Sequence, residues 1–128
     1  MEASGANQRK AAQPSANYYQ NMVAASSASP FLKEIQQVSQ RAMARSALAQ
    51  ASWWLEHEAT QTGTYPGVLP SSAWWSEGLS YNLTLTTSSA GYVLRAVPLG
   101  RQNPDACGTL WLNQLGQRGA DGGYAGCW

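Results

Sequence analysis

The spacing of apolar residues first follows a helical period. From about residue 31 to residue 59, good helix formers continue almost without a breaker, after Ser29 and Pro30 suit an N-cap and a first helical position. Apolar side chains recur there at steps of three and four, which predicts one long helix with a single buried stripe. The predicted stripe comprises Phe31, Ile35, Val38, Ala44, Leu48, Ala51 and Leu55, whereas Arg41, Arg45 and Glu56 are expected to face solvent.

After Gly78 the period changes to alternation, which is typical of strands with one solvated face. The pattern predicts a first strand over 79–86, a second over 92–97 and a third over 109–113, and it leaves the glycine-rich tail at 116–126 as loop. A linker over about 60–78 joins helix and sheet. This order predicts an α+β domain in which an antiparallel sheet covers the stripe of the helix.

Composition sets the limits of this domain. Residues 1–30 are dominated by Ala, Ser, Gln and Asn, which predicts a flexible or non-native lead before a single domain at 31–128. The 128 residues include 44% hydrophobic ones, enough for one small core. Because the formal net charge is only +1 at pH 7, binding to nucleic acid or to an anionic membrane would need a local patch.

Both cysteines, Cys107 and Cys127, lie in the last quarter of the chain around a glycine-rich segment. This favours a disulfide-closed loop and an oxidising compartment. The alternative is free or metal-binding thiols, although zinc usually takes four ligands and the one histidine, His57, is far upstream. Since the sequence contains neither a membrane span nor a signal peptide, we expect its natural N-terminus to have been removed or replaced, which leaves a soluble chain.

No group of residues points to catalysis. His57 lies between two glutamates on the predicted helix, without a nucleophile or a third orienting group. Asp105 and Asp121 flank the cysteines, but Asp105 belongs to an N-P-D run that is typical of a turn. We therefore expect a protein that is not an enzyme and that carries no cofactor and no metal.

Six tryptophans are the unusual feature of the composition. Adjacent residues diverge by about 100° on a helix, so Trp53 and Trp54 cannot both point into the core. One interpretation is a core with a partly exposed lid. The other is an aromatic contact surface for a second subunit or for stacked nucleotides.

Several segments, taken in order, resemble the type IV pilins, in particular the minor pilins of the PilE and ComP kind. They are A-S-W-W-L-E at 51–56, T-G-T-Y-P-G-V-L-P at 62–70, Y-N-L-T-L at 81–85, G-Y-V-L-R-A-V-P at 91–98, D-A-C-G-T-L-W-L-N-Q-L-G-Q-R-G at 105–119, and the closing C-W. The resemblance covers about 41–128. It implies the type IV pilin fold, with a long N-terminal helix, four antiparallel strands and a disulfide-bounded D-region between Cys107 and Cys127.

The resemblance also implies a place and a role. A pilin reaches the pilus on the bacterial surface through the inner membrane and periplasm, held by a hydrophobic N-terminal helix that this sequence lacks. Its partners are other pilin subunits, and we expect a minor structural subunit that assembles or primes the filament.

A DNA receptor of the ComP kind is the alternative, and an adhesin that uses the tryptophan-rich linker is a further one. For double-stranded DNA the candidate contacts are Arg95, Arg101 and Arg118, expected to converge near the sheet edge, with Trp75 or Trp111 for stacking. Three solvated arginines without a ligand are the competing interpretation.

Overall fold

The computed structural model describes residues 30–71, 74–123 and 126–128. In these parts, helix α1 (Pro30–Thr62) precedes an antiparallel sheet of four strands in the order β1-β2-β3-β4. The strands are β1 (Tyr81–Ser88), β2 (Gly91–Pro98), β3 (Leu110–Asn113) and β4 (Arg118–Ala120). The predicted α+β fold is therefore confirmed. The predicted lead lies outside the described residues except for Pro30, which begins the helix.

Residues Gln37–Trp128 form one compact unit, and its core lies between α1 and one face of the sheet. The helix contributes five residues that are at most 1% exposed: Ala44, Ala47, Leu48, Ala51 and Leu55. The sheet meets them with two rows of paired residues, Leu85–Leu94–Leu112 and Leu83–Ala96–Leu110–Ala120. Because three of the five helix residues are alanines, the helix backbone can lie close to these leucines.

The predicted stripe is correct only in the second half of α1. Phe31, Ile35 and Val38 are 71%, 48% and 51% exposed, and the buried apolar positions begin at Ala44. Good helix formers continue through this first half, which favours a helix there. Periodicity alone could not show where along the helix the sheet begins.

Two further corrections concern the ends of elements. The helix continues to Thr62, a few residues past the predicted end. Gly63 then ends it: its φ is 86°, and its backbone N–H donates a hydrogen bond to the Ala59 carbonyl with an N···O distance of 2.8 Å. Within the tail that alternation leaves as loop, Arg118–Ala120 pairs with β3 as the fourth strand. A strand of three residues is too short to produce an alternating pattern, whereas the pilin resemblance did imply it.

Candidate functional site

The face of the sheet turned away from the helix carries one row of residues across all four strands. Thr84 pairs with Arg95, Arg95 with Trp111, and Trp111 with Gly119. Directly paired side chains in a sheet have Cβ atoms about 4.5–5.5 Å apart and project from the same face. We call these four residues the outer row. It places an exposed hydroxyl, an exposed guanidinium and a half-buried indole side by side.

Gly119 is what lets the indole of Trp111 lie down on the sheet. A Cβ atom at position 119 would lie 2.6 Å from Cζ2 of Trp111, so a larger residue there would displace the ring. The ring is thus supported from below by β4 backbone, while part of its surface stays open. An indole held in this way is a rigid platform for another flat group.

Arg118 lies on the opposite face from the outer row. It pairs with Leu112, whose side chain belongs to the core face, so Arg118 is at the helix-side edge of the sheet. Its guanidinium carbon lies 5.3 Å from the centre of the Trp128 ring, a cation–π contact. The indole Nε1 of Trp128 in turn donates to the Gly119 carbonyl at 2.8 Å.

Arg101 lies elsewhere again, exposed in the 3₁₀ turn Gly100–Gln102 that follows β2. The three arginines therefore do not converge on one face as expected, because the strand register assigns Arg95 and Arg118 to opposite sides. Trp111 is the predicted stacking residue that shares a face with Arg95.

Trp75 is a core residue and not a stacking platform. It is 6% exposed, and its ring lies 6.4 Å from that of Trp54 and 4.8 Å from that of Trp74. The prediction of Trp75 as a stacking residue is therefore wrong, whereas its neighbour Trp74 is 61% exposed.

The loop closed by the disulfide is fixed to the helix on both sides. Cys107 and Cys127 are bonded, as predicted, with an S–S distance of 2.01 Å. Arg45, which was expected to be solvated, is half-buried and donates from Nη1 to the Cys127 carbonyl at 3.1 Å. One helical turn earlier, Arg41 reaches Asp105, two residues before Cys107.

The Arg41–Asp105 contact is a buried ion pair that the sequence did not reveal. Nε of Arg41 donates to both carboxylate oxygens at 3.0 and 2.9 Å, and Nη2 donates to Oδ1 at 2.7 Å. The two side chains are 9% and 0% exposed. Arg41 was expected to face solvent, which is wrong, whereas the expected turn at Asp105 is present, since the Cys107 N–H donates to Oδ2 of Asp105 at 3.2 Å. Because Arg41 and Asp105 are separated by 64 positions in the sequence, no local pattern could pair them.

This buried pair affects its neighbour Tyr81. Burial raises the pKa of the Tyr81 hydroxyl to about 12, and the negative charge of Asp105 adds to the effect. The buried Gln102 donates to the same hydroxyl at 3.0 Å. The region between the helix and the β2–β3 connection is therefore a satisfied polar network rather than a reactive site.

The ion pair also changes the charge balance of the sheet. Between residues 79 and 120 Asp105 is the one acidic residue, against Arg95, Arg101 and Arg118. Since Arg41 neutralises Asp105 internally, the three exposed arginines set the local charge of this segment. This positive charge is divided between more than one face of the domain.

Within the described ranges, no group of three or more His, Cys, Asp or Glu side chains is placed to hold a metal ion. No helix in these ranges is both long enough and apolar enough to cross a membrane.

Comparison with known proteins agrees with this architecture. A family model described as "Type IV minor pilin ComP, DNA uptake sequence receptor" matches residues 30–111, which is more than half of the chain. The chain belongs to this family of type IV minor pilins. Among solved structures, a type IV pilin from Shewanella oneidensis is similar with a TM-score of 0.57 and 28% identity, over 72% of this chain and 97% of that one. No curated protein sequence matches.

Membership places this minor pilin among structural and receptor proteins of the bacterial surface and not among enzymes. The family match contains Arg95, Arg101 and Trp111, whereas Arg118 and Trp128 lie beyond its end. The outer row is thus inside the family segment except for Gly119.

Proposed function

We propose that this minor pilin is a DNA receptor that binds duplex DNA on the outer face of its sheet. The observation that carries the proposal is the juxtaposition of Arg95 and Trp111 in the outer row. Both residues lie in the segment 79–120, whose one acidic residue, Asp105, is paired with Arg41. The description of the matching family, a DNA uptake sequence receptor, supports the same choice over a purely structural subunit.

The chemistry of the row suits a nucleic-acid backbone. Arg95 supplies a guanidinium for a phosphate, and the Thr84 hydroxyl next to it can donate to the same phosphate or the next. The open part of the Trp111 ring can stack on a base or wedge against a base step from the groove. Arg101 and Arg118 add positive potential at the periphery and steer the DNA toward the row.

Affinity measurements on three single variants test this assignment. Arg95→Ala should weaken duplex binding and lower the log–log salt slope by about one, because one phosphate contact is lost. Trp111→Ala should weaken binding by about 1–3 kcal/mol per base lost with little change in slope.

Arg101→Ala is the matched control, since it removes the same charge from an exposed site outside the row. It should have a clearly smaller effect than Arg95→Ala. Equal losses for both arginines, with no loss for Trp111→Ala, would mean that DNA is held by diffuse charge and that the outer row is not the site.

A role in the filament itself is the second candidate, and it does not compete with the first. The start of α1 leaves Phe31 and Ile35 exposed, a surface that subunits of a helical assembly could cover. We propose that this pilin joins other pilin subunits in a pilus on the cell surface, which it reaches through the inner membrane and periplasm. Co-purification with assembled pili should be lost for Ile35→Glu and kept for the solvent-facing change Glu34→Gln.

A further inference from the structure

The DNA site leaves two of the most exposed aromatic residues unexplained. Trp53 is 62% exposed and Trp74 is 61% exposed. A covered aromatic side chain buries about 150–250 Å², so these two indoles leave much apolar surface in contact with water. Trp54 and Trp75, their sequence neighbours, supply the packing instead. Neither Trp53 nor Trp74 is therefore required by the core, and both present open ring surface.

Both exposed rings are held in place by polar neighbours. The indole Nε1 of Trp74 donates to Oε1 of Gln50 at 2.8 Å, and the Gln50 amide is fixed by a 3.1 Å bond to the Ser46 hydroxyl. Trp53 stacks on His57, with ring centres 5.1 Å apart and planes within 8°. Rings fixed in this way lose little conformational entropy when a ligand covers them.

These residues form one continuous surface, which we call the aromatic strip: Trp74, Gln50, Trp53 and His57. On a helix with 100° per residue, Gln50, Trp53 and His57 fall within about 60° of one another. Gln50 and Trp53 are one turn apart and are therefore surface neighbours. Because the indole of Trp74 donates a hydrogen bond to the Gln50 side chain, its ring extends the same surface on the linker side.

The charge around the strip excludes a polyanion. Residues 46–79 contain Glu56, Glu58 and Glu77 and neither lysine nor arginine. DNA needs cations to replace its counterions, and carboxylates would repel it. The strip is thus chemically opposite to the arginine-bearing sheet.

We propose that the aromatic strip is a binding site for neutral oligosaccharides. A pyranose ring has a face of C–H groups that stacks on an indole, and its hydroxyls both donate and accept hydrogen bonds. The strip offers two open indoles, while the Gln50 amide and the His57 imidazole provide acceptors and donors for hydroxyls. The negative charge of the segment 46–79, which has three glutamates and neither lysine nor arginine, selects against sulfated or uronic sugars. This inference goes beyond DNA binding and does not depend on it.

The test is a calorimetric or NMR titration of the 128-residue chain with cellotriose, chitotriose and maltotriose, each up to about 10 mM, the range of weak stacking sites. A trisaccharide of galacturonic acid is the anionic comparison. We expect at least one neutral trisaccharide to bind and the anionic one to bind at least about tenfold more weakly. Trp53→Ala and Trp74→Ala should each weaken binding about tenfold, the effect of losing one stacked ring.

Arg95→Ala is the matched control, because it lies on the sheet and should leave sugar binding unchanged. Conversely, Trp53→Ala and Trp74→Ala should leave DNA affinity unchanged, so the two proposals fail separately. Since both tryptophans are exposed, their removal should also leave thermal unfolding nearly unchanged. Absence of binding to every neutral trisaccharide overturns the proposal, as does binding that survives both substitutions. Self-association of the wild-type chain that both substitutions abolish would also overturn it, because the strip would then be a protein contact.

Discussion

The buried ion pair between Arg41 and Asp105 yields the sharpest stability prediction. Arg41→Met keeps the length of the side chain but leaves a carboxylate whose side chain is 0% exposed without this counter-ion. Breaking a buried pair from one side is destabilising by about 3–5 kcal/mol, whereas an exposed pair contributes about 0–1 kcal/mol. Because Arg41 contacts both carboxylate oxygens and both side chains are almost fully buried, this is a buried ion pair. We therefore expect Arg41→Met to lower the free energy of unfolding by about 3 kcal/mol or more, a large share of a small domain's stability.

Urea unfolding followed by circular dichroism measures this loss, with Asp105→Asn and the double variant completing a cycle. The double variant should lose less than the sum of the single ones, because each single variant already removes the contact. Arg101→Met is the matched control and should stay within about 0.5 kcal/mol, the usual surface value. Losses below about 0.5 kcal/mol for both single variants, or strict additivity, would refute the reasoning.

Three further predictions concern the core, the disulfide and pH. Leu48→Ala should destabilise by about 2–5 kcal/mol in the same assay, while Val38→Ala on the exposed half of the helix should stay within about 0.5 kcal/mol. A thiol assay on denatured, unreduced protein should find no free thiol at Cys107 and Cys127, and replacing both by serine should lower stability by about 2–5 kcal/mol. The Tyr81 hydroxyl ionises near pH 10 in the unfolded chain but near pH 12 in the folded one, so the free energy of unfolding should fall as the pH rises from 10 to 12. If Tyr81→Phe loses as much stability over this range as the wild type, Tyr81 is not the group responsible.

Much of the fold could be predicted because local patterns determine it. The alternation from Leu79 to Thr86 predicted β1 and its exposed threonines, and helix formers up to Ala59 predicted α1. The disulfide followed from two cysteines around a flexible segment and was reinforced by the pilin motifs. What could not be predicted depends on contacts between distant residues, such as Arg41 with Asp105.

The candidate site was predicted only in part for the same reason. Arg95 and Trp111 were named, but their direct pairing depends on the register of β2 and β3, which one sequence does not state. The same register separates Arg118 from them, although all three lie in neighbouring strands. For Trp53 and Trp54, helical geometry predicted that only one points into the core, but no pattern in the linker showed that Trp75 is buried and Trp74 exposed.

The central claim, that this minor pilin binds DNA through a few local cations, is tested most directly by the salt dependence of duplex affinity for the intact chain. A plot of log affinity against log salt should be linear with a slope of about −1 or steeper, since the Arg95 phosphate contact contributes about 0.9 and Arg101 and Arg118 add peripheral charge. Binding should be strongest at the lowest salt, where charges are least screened. Absence of binding at low salt, or an affinity that does not change with salt, would contradict the account.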